Sequence, residues 1–355
     1  MKRIAGLLVV LVSILLSVSV LHVWAGGNAR RPAIIKGADE LMVLQRTDYL
    51  WEGTWFWFVG NTGNATNLTG VTALGLLEAF NDTKDHEILD AAVKAAGFIQ
   101  THLGAGATGL KHHVRTTAPD IVFLHQLGKV TGNSVYASRA TLEWNNIKAT
   151  YPTAASLDAR FKLINRPSTW DIAFFMEAAK LSGDQAWADG AAAILANVGD
   201  SFYYGNNNPN NAYWYDLNLS GSVRALVACG YYQQYPSQVK SLLNQLISLV
   251  DSNNGIDGYV QDTAYAVLAL NTVGGAARSY ANSLGRWLAR QQTQNGAWVE
   301  PDGLEYPESS GEALRALSFT IGSNVSSDGF EPGLVKKSHW KKAKIAEAAA
   351  PSHDE

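Results

Sequence analysis

The chain has almost no cysteine and little net charge. Cys229 is its only cysteine among 355 residues, so no disulfide can form within the chain. We therefore expect the fold to depend on its hydrophobic core. Cys229 lies in an apolar, helix-like stretch and is expected to be a buried small hydrophobic residue. The formal net charge of −3 gives no electrostatic support for nucleic-acid binding.

One long apolar run is present, and it lies at the N-terminus. Lys2 and Arg3 precede a mostly apolar stretch, and Ala25 ends a small-residue cleavage site. The pattern predicts a secretory signal peptide over residues 1–25, and hence a secreted protein, extracellular or periplasmic. Because the apolar run is long for a signal peptide, an uncleaved membrane anchor is the alternative. The membrane would then be contacted through this segment alone.

The rest of the chain contains a six-fold helical repeat. Helix starts rich in small residues recur about every 50 residues. They lie near Thr69, Pro119, Ser168, Ser220, Asp262 and Ser310. Each start opens an apolar run, and a short turn and an amphipathic run follow the first five. Stacked helical hairpins of this kind predict an all-α fold, an (α/α)6 barrel in a single domain.

The repeat also predicts the domain boundaries. Residues 26–37 are predicted as a linker, residues 38–330 as the toroid, and residues 331–355 as a disordered tail rich in lysine and alanine. The sixth inner helix, Ser310 to Ile321, has no outer helix after it in the sequence. We expect the helix Ala38 to Leu50 to pack beside it and close the ring. Small residues on the inner helices should let their backbones approach closely.

A motif in the last third of the chain carries a family resemblance. Gln292 to Trp298 reads Gln-Thr-Gln-Asn-Gly-Ala-Trp, which resembles the Q-x3-G-x-W repeat of squalene cyclases and protein prenyltransferases in the terpenoid-cyclase toroid superfamily. The resemblance implies the toroid fold, with the glutamine at a helix end and the tryptophan stacked in the turn. The reactive motifs of both enzyme groups are absent. Cyclase or prenyl-transfer chemistry is therefore the least favoured function.

The middle of the chain resembles a different group. Pro119 to Asn133, and Thr169 to Phe175 with the turn that follows, are similar to hairpins of secreted six-hairpin glycosidases such as the unsaturated glucuronyl hydrolases. In that group, acidic residues at the starts of consecutive inner helices do the chemistry. The resemblance implies this role for Asp120 and Asp171.

Four acids at inner-helix starts are the candidate catalytic residues. They are Asp120, Asp171, Asp262 and Glu312. Glycoside cleavage needs two carboxyl groups that face one another, and in a dry pocket one of them should have a raised pKa. The alternative is that these acids only cap helices and are stabilised by the helix dipole. No cofactor and no metal site are predicted, because neighbouring His112 and His113 point apart and no partner pattern follows.

The long loops between hairpins should meet at one end of the ring, where loops usually carry function. Their aromatic and carboxylate side chains suit sugar rings and hydroxyls. The predicted substrate-binding residues are Trp55, Trp57, His113, Arg115, Trp170, Tyr213, Trp214, Tyr215, Trp298 and Glu305. In a lyase, His113 and Arg115 would neutralise a uronate, and Tyr213 or Tyr215 would be the base. The alternative is that the aromatics only pack the loops.

These patterns predict a carbohydrate-active protein whose partner is a glycan or oligosaccharide. The preferred activity is a glycoside hydrolase or polysaccharide lyase acting on acidic glycans. The alternative, from a different class, is a non-catalytic glycan-binding or cell-surface structural protein that keeps only the toroid scaffold. The linkage and the oligomeric state are left open.

Overall fold

The structure is all-helical. The computed structural model describes residues 30–63, 68–102, 117–163, 169–197 and 211–322. Within these ranges there are thirteen helices and no β-strand, which confirms the predicted fold class. None of these helices is long and apolar enough to cross a membrane. The predicted signal peptide and the predicted C-terminal tail lie outside the described residues.

Six helices form a closed inner ring. They are α2 (Thr69–Thr83), α4 (Thr117–Thr131), α7 (Thr169–Leu181), α9 (Asn211–Ala228), α11 (Val260–Val273) and α13 (Pro307–Gly322). Each packs against the next, and α13 packs against α2. In α11 every residue but one is buried, as expected for a helix with neighbours on all sides.

A second layer of helices surrounds the ring. It consists of α1 (Arg30–Leu44), α3 (His86–His102), α5 (Ser134–Thr150), α8 (Gln185–Ala196), α10 (Pro236–Ser248) and α12 (Ala277–Gln291), with the additional helix α6 (Ala154–Leu163) against α8. These helices bury one face only. In α12, for example, Ala277, Ala281, Leu284 and Leu288 are buried at helical spacing. The predicted (α/α)6 barrel is confirmed.

Helix α1 closes the outer layer as predicted, since it packs mainly against α13 and also against α2 and α12. The predicted bounds, Ala38 to Leu50, are wrong. The helix begins at Arg30, inside the predicted linker, and ends at Leu44. The side chain of Arg30 donates hydrogen bonds to the side-chain and backbone oxygens of Asn282 on α12, so tertiary contacts hold a first turn that has no clear apolar pattern of its own.

Glycines close the ring where its first and last inner helices meet. A Cβ atom at Gly75 would lie 2.1 Å from the carbonyl oxygen of Gly311, and one at Gly311 would lie 2.7 Å from the Cα of Thr72. No side chain fits between the two backbones. The expectation that small residues permit close backbone approach is confirmed here.

The loop after α12 connects α12 to α1 through the motif recognised in the sequence. Gln292 Nε2 donates to the carbonyl oxygens of Ala33 on α1 (2.8 Å) and of Gly296 (2.9 Å). Trp298 Nε1 donates to the carbonyl of Leu288, 2.8 Å away. The glutamine therefore bridges two outer helices, and the indole fills the turn between them.

The loop after α1 repeats this arrangement and connects α1 to α3. Gln45 Nε2 donates to the carbonyls of Ala91 (2.9 Å) and Gly53 (3.0 Å), and Trp55 Nε1 donates to the carbonyl of Leu41 (2.8 Å). Gly53, like its counterpart in the other loop, has a positive φ, 94°, which glycine adopts readily. A longer insertion between Gln45 and Gly53 hides this second motif in the sequence.

Cys229 differs from its prediction. It lies just beyond the end of α9 and is half-buried. Burial, followed by the charge of Glu177, raises the pKa of its thiol to about 12. The thiol is therefore protonated and unreactive at neutral pH.

Candidate active site at the acidic end of the ring

The N-termini of the inner helices meet at one end of the ring, and buried acids concentrate there. We call this the acidic end. It comprises Asp120, Asp171, Asp216, Asp262, Glu300, Glu308 and Glu312, most of them in or next to the first turns of inner helices. Two predicted binding residues, His113 and Arg115, lie outside the described residues. Tyr213 and Trp214 belong to α9, but their side chains also lie outside the description.

Two of these acids come from opposite sides of the ring. Asp171 is in the first turn of α7 and is buried, and Glu308 is in the first turn of α13 and is half-buried. Helices α7 and α13 are three positions apart in the ring of six. Burial, and then the charge of Asp171, raises the pKa of Glu308 to about 7. The two carboxyl groups are therefore close enough to interact across the ring axis.

Aromatic side chains connect the same helices below the acids. Tyr265 Oη on α11 donates to Glu312 Oε1 on α13 at 2.6 Å. The Trp170 ring on α7 meets the Tyr265 ring edge-on, with centroids 5.8 Å apart. The backbone N–H of Trp170 donates to Asn218 Oδ1 on α9 at 2.8 Å. The indole N–H of Trp170 has no hydrogen-bond partner among the described residues, so it remains a free donor at this end.

Burial dominates the electrostatics of Glu312 and Asp262. Burial and then Glu308 raise the pKa of Glu312 well above its ordinary value, against opposing hydrogen bonds from Tyr265 and Gln261. Burial, with Asp216 next, likewise raises the pKa of Asp262. Neither carboxyl oxygen of Asp262 has a hydrogen-bond partner in the described part of the chain. Burial therefore favours the protonated form of both groups.

The cap of α11 is a different acid from the one considered in the sequence. Glu300 accepts hydrogen bonds from the backbone N–H groups of Val260 (2.9 Å) and Gln261 (3.0 Å). It thus supplies the acceptor that the first turn of a helix needs. Asp262 makes no such bond, so helix capping does not explain its presence.

Asp120 belongs to the acidic end and packs against the first inner helix. A Cβ atom at Gly70 would lie 2.3 Å from Asp120 Oδ1, so this acid packs directly on the backbone of α2. Burial raises the pKa of Asp120 to about 8. A hydrogen bond from the Gly70 backbone opposes the rise, and the charge of Glu143 on outer helix α5 adds to it. The acid thus interacts with α2 and the outer layer.

The predicted aromatic platform is only partly present. Trp55 and Trp298 are fully buried, with their indole N–H groups bound to backbone carbonyls as described above. They pack the loops and present no ring face to a ligand, which corrects their assignment as sugar platforms. Trp57 is 38% exposed. Trp170 is half-buried beside the acids.

Tyr215 also differs from its prediction as a loop residue. The fourth inner helix begins at Asn211 and not near Ser220. Tyr215 therefore lies on α9, where its hydroxyl donates to Gln245 Oε1 on outer helix α10 at 2.9 Å. This hydroxyl is directed at the outer layer and is not positioned as a base at the ring axis.

Glu305 lies in the loop before α13. Its backbone carbonyl accepts a hydrogen bond from Val59 at 2.9 Å, which joins this loop to the one that carries Trp57. Burial, and then Glu40, raises the pKa of Glu305 to about 7. Glu305 thus remains near an exposed aromatic residue, as a binding role requires.

The sequence predicts Glu308 as a loop residue and not as a catalytic acid, because it predicts the start of the sixth inner helix at Ser310. The helix begins at Pro307, a residue well suited to a first helical position. This start puts Glu308 in the first turn and on the same face as Glu312, four residues later. A proline followed by an acid was the signal in the sequence.

No metal site accompanies these acids in the described ranges, where no group of three or more His, Cys, Asp or Glu side chains could hold an ion. The carboxyl groups with raised pKa values at the acidic end can transfer protons and donate hydrogen bonds. A protonated carboxyl, a second carboxyl across the axis and an indole donor all lie near one another.

Comparisons with known proteins identify the fold. No protein-family model and no curated protein matches the chain. A solved protein from Actinoplanes is 14% identical, with a TM-score of 0.55 over 82% of this chain and 99% of the other. The GH76A α-1,6-mannanase from Salegentibacter sp. HEL1_6 is 11% identical, with a TM-score of 0.57 over 82% and 98%. An unsaturated glucuronyl hydrolase specific for heparin is 12% identical, with a TM-score of 0.55 over 82% and 97%.

At these identities the likeness concerns the fold alone. An inactive variant of the mannanase, solved with α-1,6-mannotriose, has two consecutive aspartates replaced by asparagine. No two consecutive aspartates occur anywhere in the present sequence. The chain has the six-hairpin α/α-toroid fold found in these glycosidases.

Proposed function

We propose that this protein hydrolyses a glycosidic bond at the acidic end of the ring, with Glu308 as general acid and Asp171 as the opposing carboxylate. One observation carries the proposal. The two acids come from opposite inner helices, and the charge of Asp171 contributes to the raised pKa of Glu308, about 7. An acid that is protonated near neutral pH beside an ionised partner is the arrangement that glycoside cleavage requires.

The proposed reaction is a single displacement. The Glu308 carboxyl gives its proton to the glycosidic oxygen as the bond between that oxygen and the anomeric carbon breaks. A water molecule attacks the anomeric carbon, and Asp171 accepts the proton that the water loses. Solvent then returns the carboxyl groups to their starting states. If Asp171 instead attacks the carbon directly, the product keeps its anomeric configuration, so the product anomer distinguishes the two routes.

The local charge favours a neutral substrate. No basic side chain among the described residues contributes to the pKa of Glu308, and burial raises the pKa values of its neighbours Glu312 and Asp262 further. The acidic end thus has no cation among the described residues to attract the carboxylate of a uronate. Recognition of an acidic glycan would therefore depend on His113 and Arg115. Both neutral and uronate-containing oligosaccharides belong in the test.

The test is turnover by the purified protein on α-1,6-mannooligosaccharides and on unsaturated glucuronyl oligosaccharides. Glu308→Gln and Asp171→Asn should each lower turnover at least about a hundredfold while the melting temperature stays near that of wild type. Asp48→Asn, at a loop acid whose side chain is 52% exposed and paired with Arg46, is the control and should leave turnover unchanged. Wild-type turnover should fall as the pH rises past about 7, because Glu308 then loses its proton.

The second candidate is non-catalytic glycan binding. The absence of two consecutive aspartates from the sequence favours it over a mannanase activity. Saturable glycan binding without new reducing ends would select this candidate and contradict hydrolysis. Turnover that survives both acid substitutions would exclude the assigned roles of Glu308 and Asp171.

A further inference from the structure

The opposite end of the ring contains a cavity of about 770 Å³, which we call the arginine cavity. All six inner helices line it near their C-terminal ends, through Glu78, Gln126, Glu177, Arg224, Asn271 and Arg315. The volume is in the range of small-molecule sites. The residues of the acidic end do not line this cavity, so the proposed hydrolysis and the predicted loops do not use it.

Basic side chains outnumber acidic ones in its lining. Four are basic, Lys180, Arg224, Arg278 and Arg315, and three are acidic, Glu78, Asp82 and Glu177. The C-terminal ends of helices contribute partial negative charge, but this effect is confined to the last turn. Arg315 lies about two turns before the end of α13. The helix dipoles therefore act at the rim, and the arginines act deeper in the cavity.

One of the two buried arginines has a partner. The Arg224 guanidinium forms an ion pair with the Glu177 carboxylate, and both side chains are buried. The guanidinium also lies over the ring of Phe174, 5.3 Å from its centroid, in the position of a cation–π contact. The charge of Arg224 is thus compensated within the protein.

The other buried arginine has no such partner. Arg315 is only 3% exposed. Its Nε has no hydrogen-bond partner in the described part of the chain, and it does not take part in the ion pair between Arg224 and Glu177. Burial, and then the charge of Arg224, lowers the pKa of Arg315, while the more weakly acting charges of Glu177 and Glu78 oppose this shift. A guanidinium nevertheless keeps its charge in proteins. An unpaired buried charge is unfavourable unless an anion accompanies it.

An unpartnered acceptor lies in the same cavity. Asn271 is 6% exposed. Its Nδ2 donates to the carbonyl of Phe319 at 3.0 Å, while its Oδ1 is buried without a hydrogen-bond partner among the described residues. A ligand that completes this site must accept from the guanidinium and donate to the amide oxygen. An anion that also carries hydroxyl groups does both.

We propose that the arginine cavity binds a small polyhydroxylated anion, a sugar acid or a sugar phosphate, with Arg315 holding the anionic group and Asn271 accepting from a hydroxyl. This binding does not depend on hydrolysis at the acidic end. The two sources of the anion share one chemistry, since guanidinium groups bind carboxylate and phosphate oxygens in the same forked geometry.

The test is calorimetric titration of the purified full-length chain with glucuronate, with glucose 6-phosphate and with glucose. We expect saturable binding of at least one anion and none of glucose. The tighter of the two anions identifies the carboxylate or the phosphate as the preferred group. Arg315→Met should weaken that binding at least about tenfold, the effect of one lost charged hydrogen bond. Arg290→Met, at an exposed position on α12, is the matched control and should keep wild-type affinity.

Two further variants test binding in the cavity even if Arg315→Met does not fold. Ala228→Trp adds a large side chain at an exposed position on the cavity lining and should abolish binding without disturbing the core. Glu308→Gln, at the other end, should bind normally whether or not the protein is a hydrolase. Absence of saturable anion binding, equal binding of glucose, or full affinity in both cavity variants would overturn the proposal.

Discussion

The two ends of one helical ring hold buried charge in opposite ways. At the acidic end, carboxyl groups are buried near one another, and the pKa values of Asp120, Asp216 and Glu308 rise to between about 7 and about 8. In the arginine cavity, Glu177 and Arg224 form a buried ion pair. The first arrangement favours protonated acids, and the second keeps charges of both signs. The same scaffold thus supports two chemically different environments.

The comparison shows which electrostatic effect is stronger at the acidic end. A helix N-terminus stabilises a carboxylate by roughly 0.3–1 kcal/mol, which would lower its pKa. The pKa of Asp120 nevertheless rises from 3.8 to about 8, and each unit corresponds to about 1.4 kcal/mol. Burial therefore outweighs the helix dipole several-fold. This is why acids that a sequence would assign to helix capping are candidates for proton transfer.

Both ends depend on closure of the ring, so opening it should remove the difference between them. Gly75→Ala places a methyl group where the Gly311 carbonyl oxygen lies 2.1 Å away. Because that atom is backbone, we expect the free energy of unfolding to fall by at least about 4 kcal/mol. Gly97→Ala on outer helix α3 meets nothing within 4 Å and should stabilise by up to about 1 kcal/mol. Urea denaturation of the two variants is the measurement. Equal stabilities would show that the ring does not close through this contact.

Removing one charge should destabilise the protein more in the arginine cavity than at the acidic end. Arg224→Met removes the ion-pair partner of the buried Glu177 carboxylate, and removing one partner of a buried pair destabilises by about 3–5 kcal/mol. Lys162→Met is the control. The Lys162 side chain, which pairs with Asp158, is 52% exposed, and ion pairs at the surface contribute about 1 kcal/mol or less. Denaturant midpoints compare the two. A negligible effect of Arg224→Met would remove the contrast between the ends.

The acidic end should make stability depend on pH. The folded-state pKa of Asp120 is about 8 and that of Asp216 about 7, against an ordinary value of 3.8. Between these values the folded state binds more protons than the unfolded state, so stability falls as pH rises. We expect a melting temperature at least about 5 °C lower near pH 8 than near pH 5. The dependence should weaken in Asp120→Asn. A melting temperature that rises over this range would contradict protonated acids.

The smallest effect is expected at Asp262. Burial raises the pKa of Asp262, and its carboxyl group has no hydrogen-bond partner among the described residues. In its protonated form this group resembles an amide in shape and charge, so we expect Asp262→Asn to change the free energy of unfolding by less than about 1 kcal/mol near neutral pH. Together with a large effect of Arg224→Met, this outcome would strengthen the contrast between the acidic end and the arginine cavity. Both variants remove a buried ionisable group, but only one removes a charge. If Asp262→Asn instead lowered the free energy of unfolding by several kcal/mol, Asp262 would have to be ionised and paired.

Errors in the predicted helix bounds had consequences for the site. The start of α13 was placed three residues too late, and Glu308 was missed as a result. The sequence predicts the start of α9 near Ser220 and hence Tyr215 in a loop, whereas Tyr215 lies on the helix and its hydroxyl donates a hydrogen bond to the outer layer. Sequence periodicity weakens at helix ends, where caps and tertiary contacts set the boundary.

The tryptophans show that the sequence also does not predict which side chains are buried. In the sequence, Trp55 and Trp298 cannot be told from Trp57, since all three lie in loops rich in aromatic residues. In the structure Trp55 and Trp298 are buried, with their indole N–H groups bound to the carbonyls of Leu41 and Leu288. Trp57 is exposed. Only the position of each outer helix beneath the loop decides which indole is covered.

The sequence by itself determined the six-hairpin ring, the role of α1 as its last outer helix, and the gathering of acids at one end. These features follow from helical periodicity and from the order of hairpins, which are local or topological properties of the chain. The tertiary structure decided that the charge of Asp171 acts on Glu308, that the Nε of Arg315 has no hydrogen-bond partner among the described residues, and that a cavity opens at the far end. Burial and electrostatic pairing depend on side chains that are distant in sequence, and their energies exist only once the ring has closed.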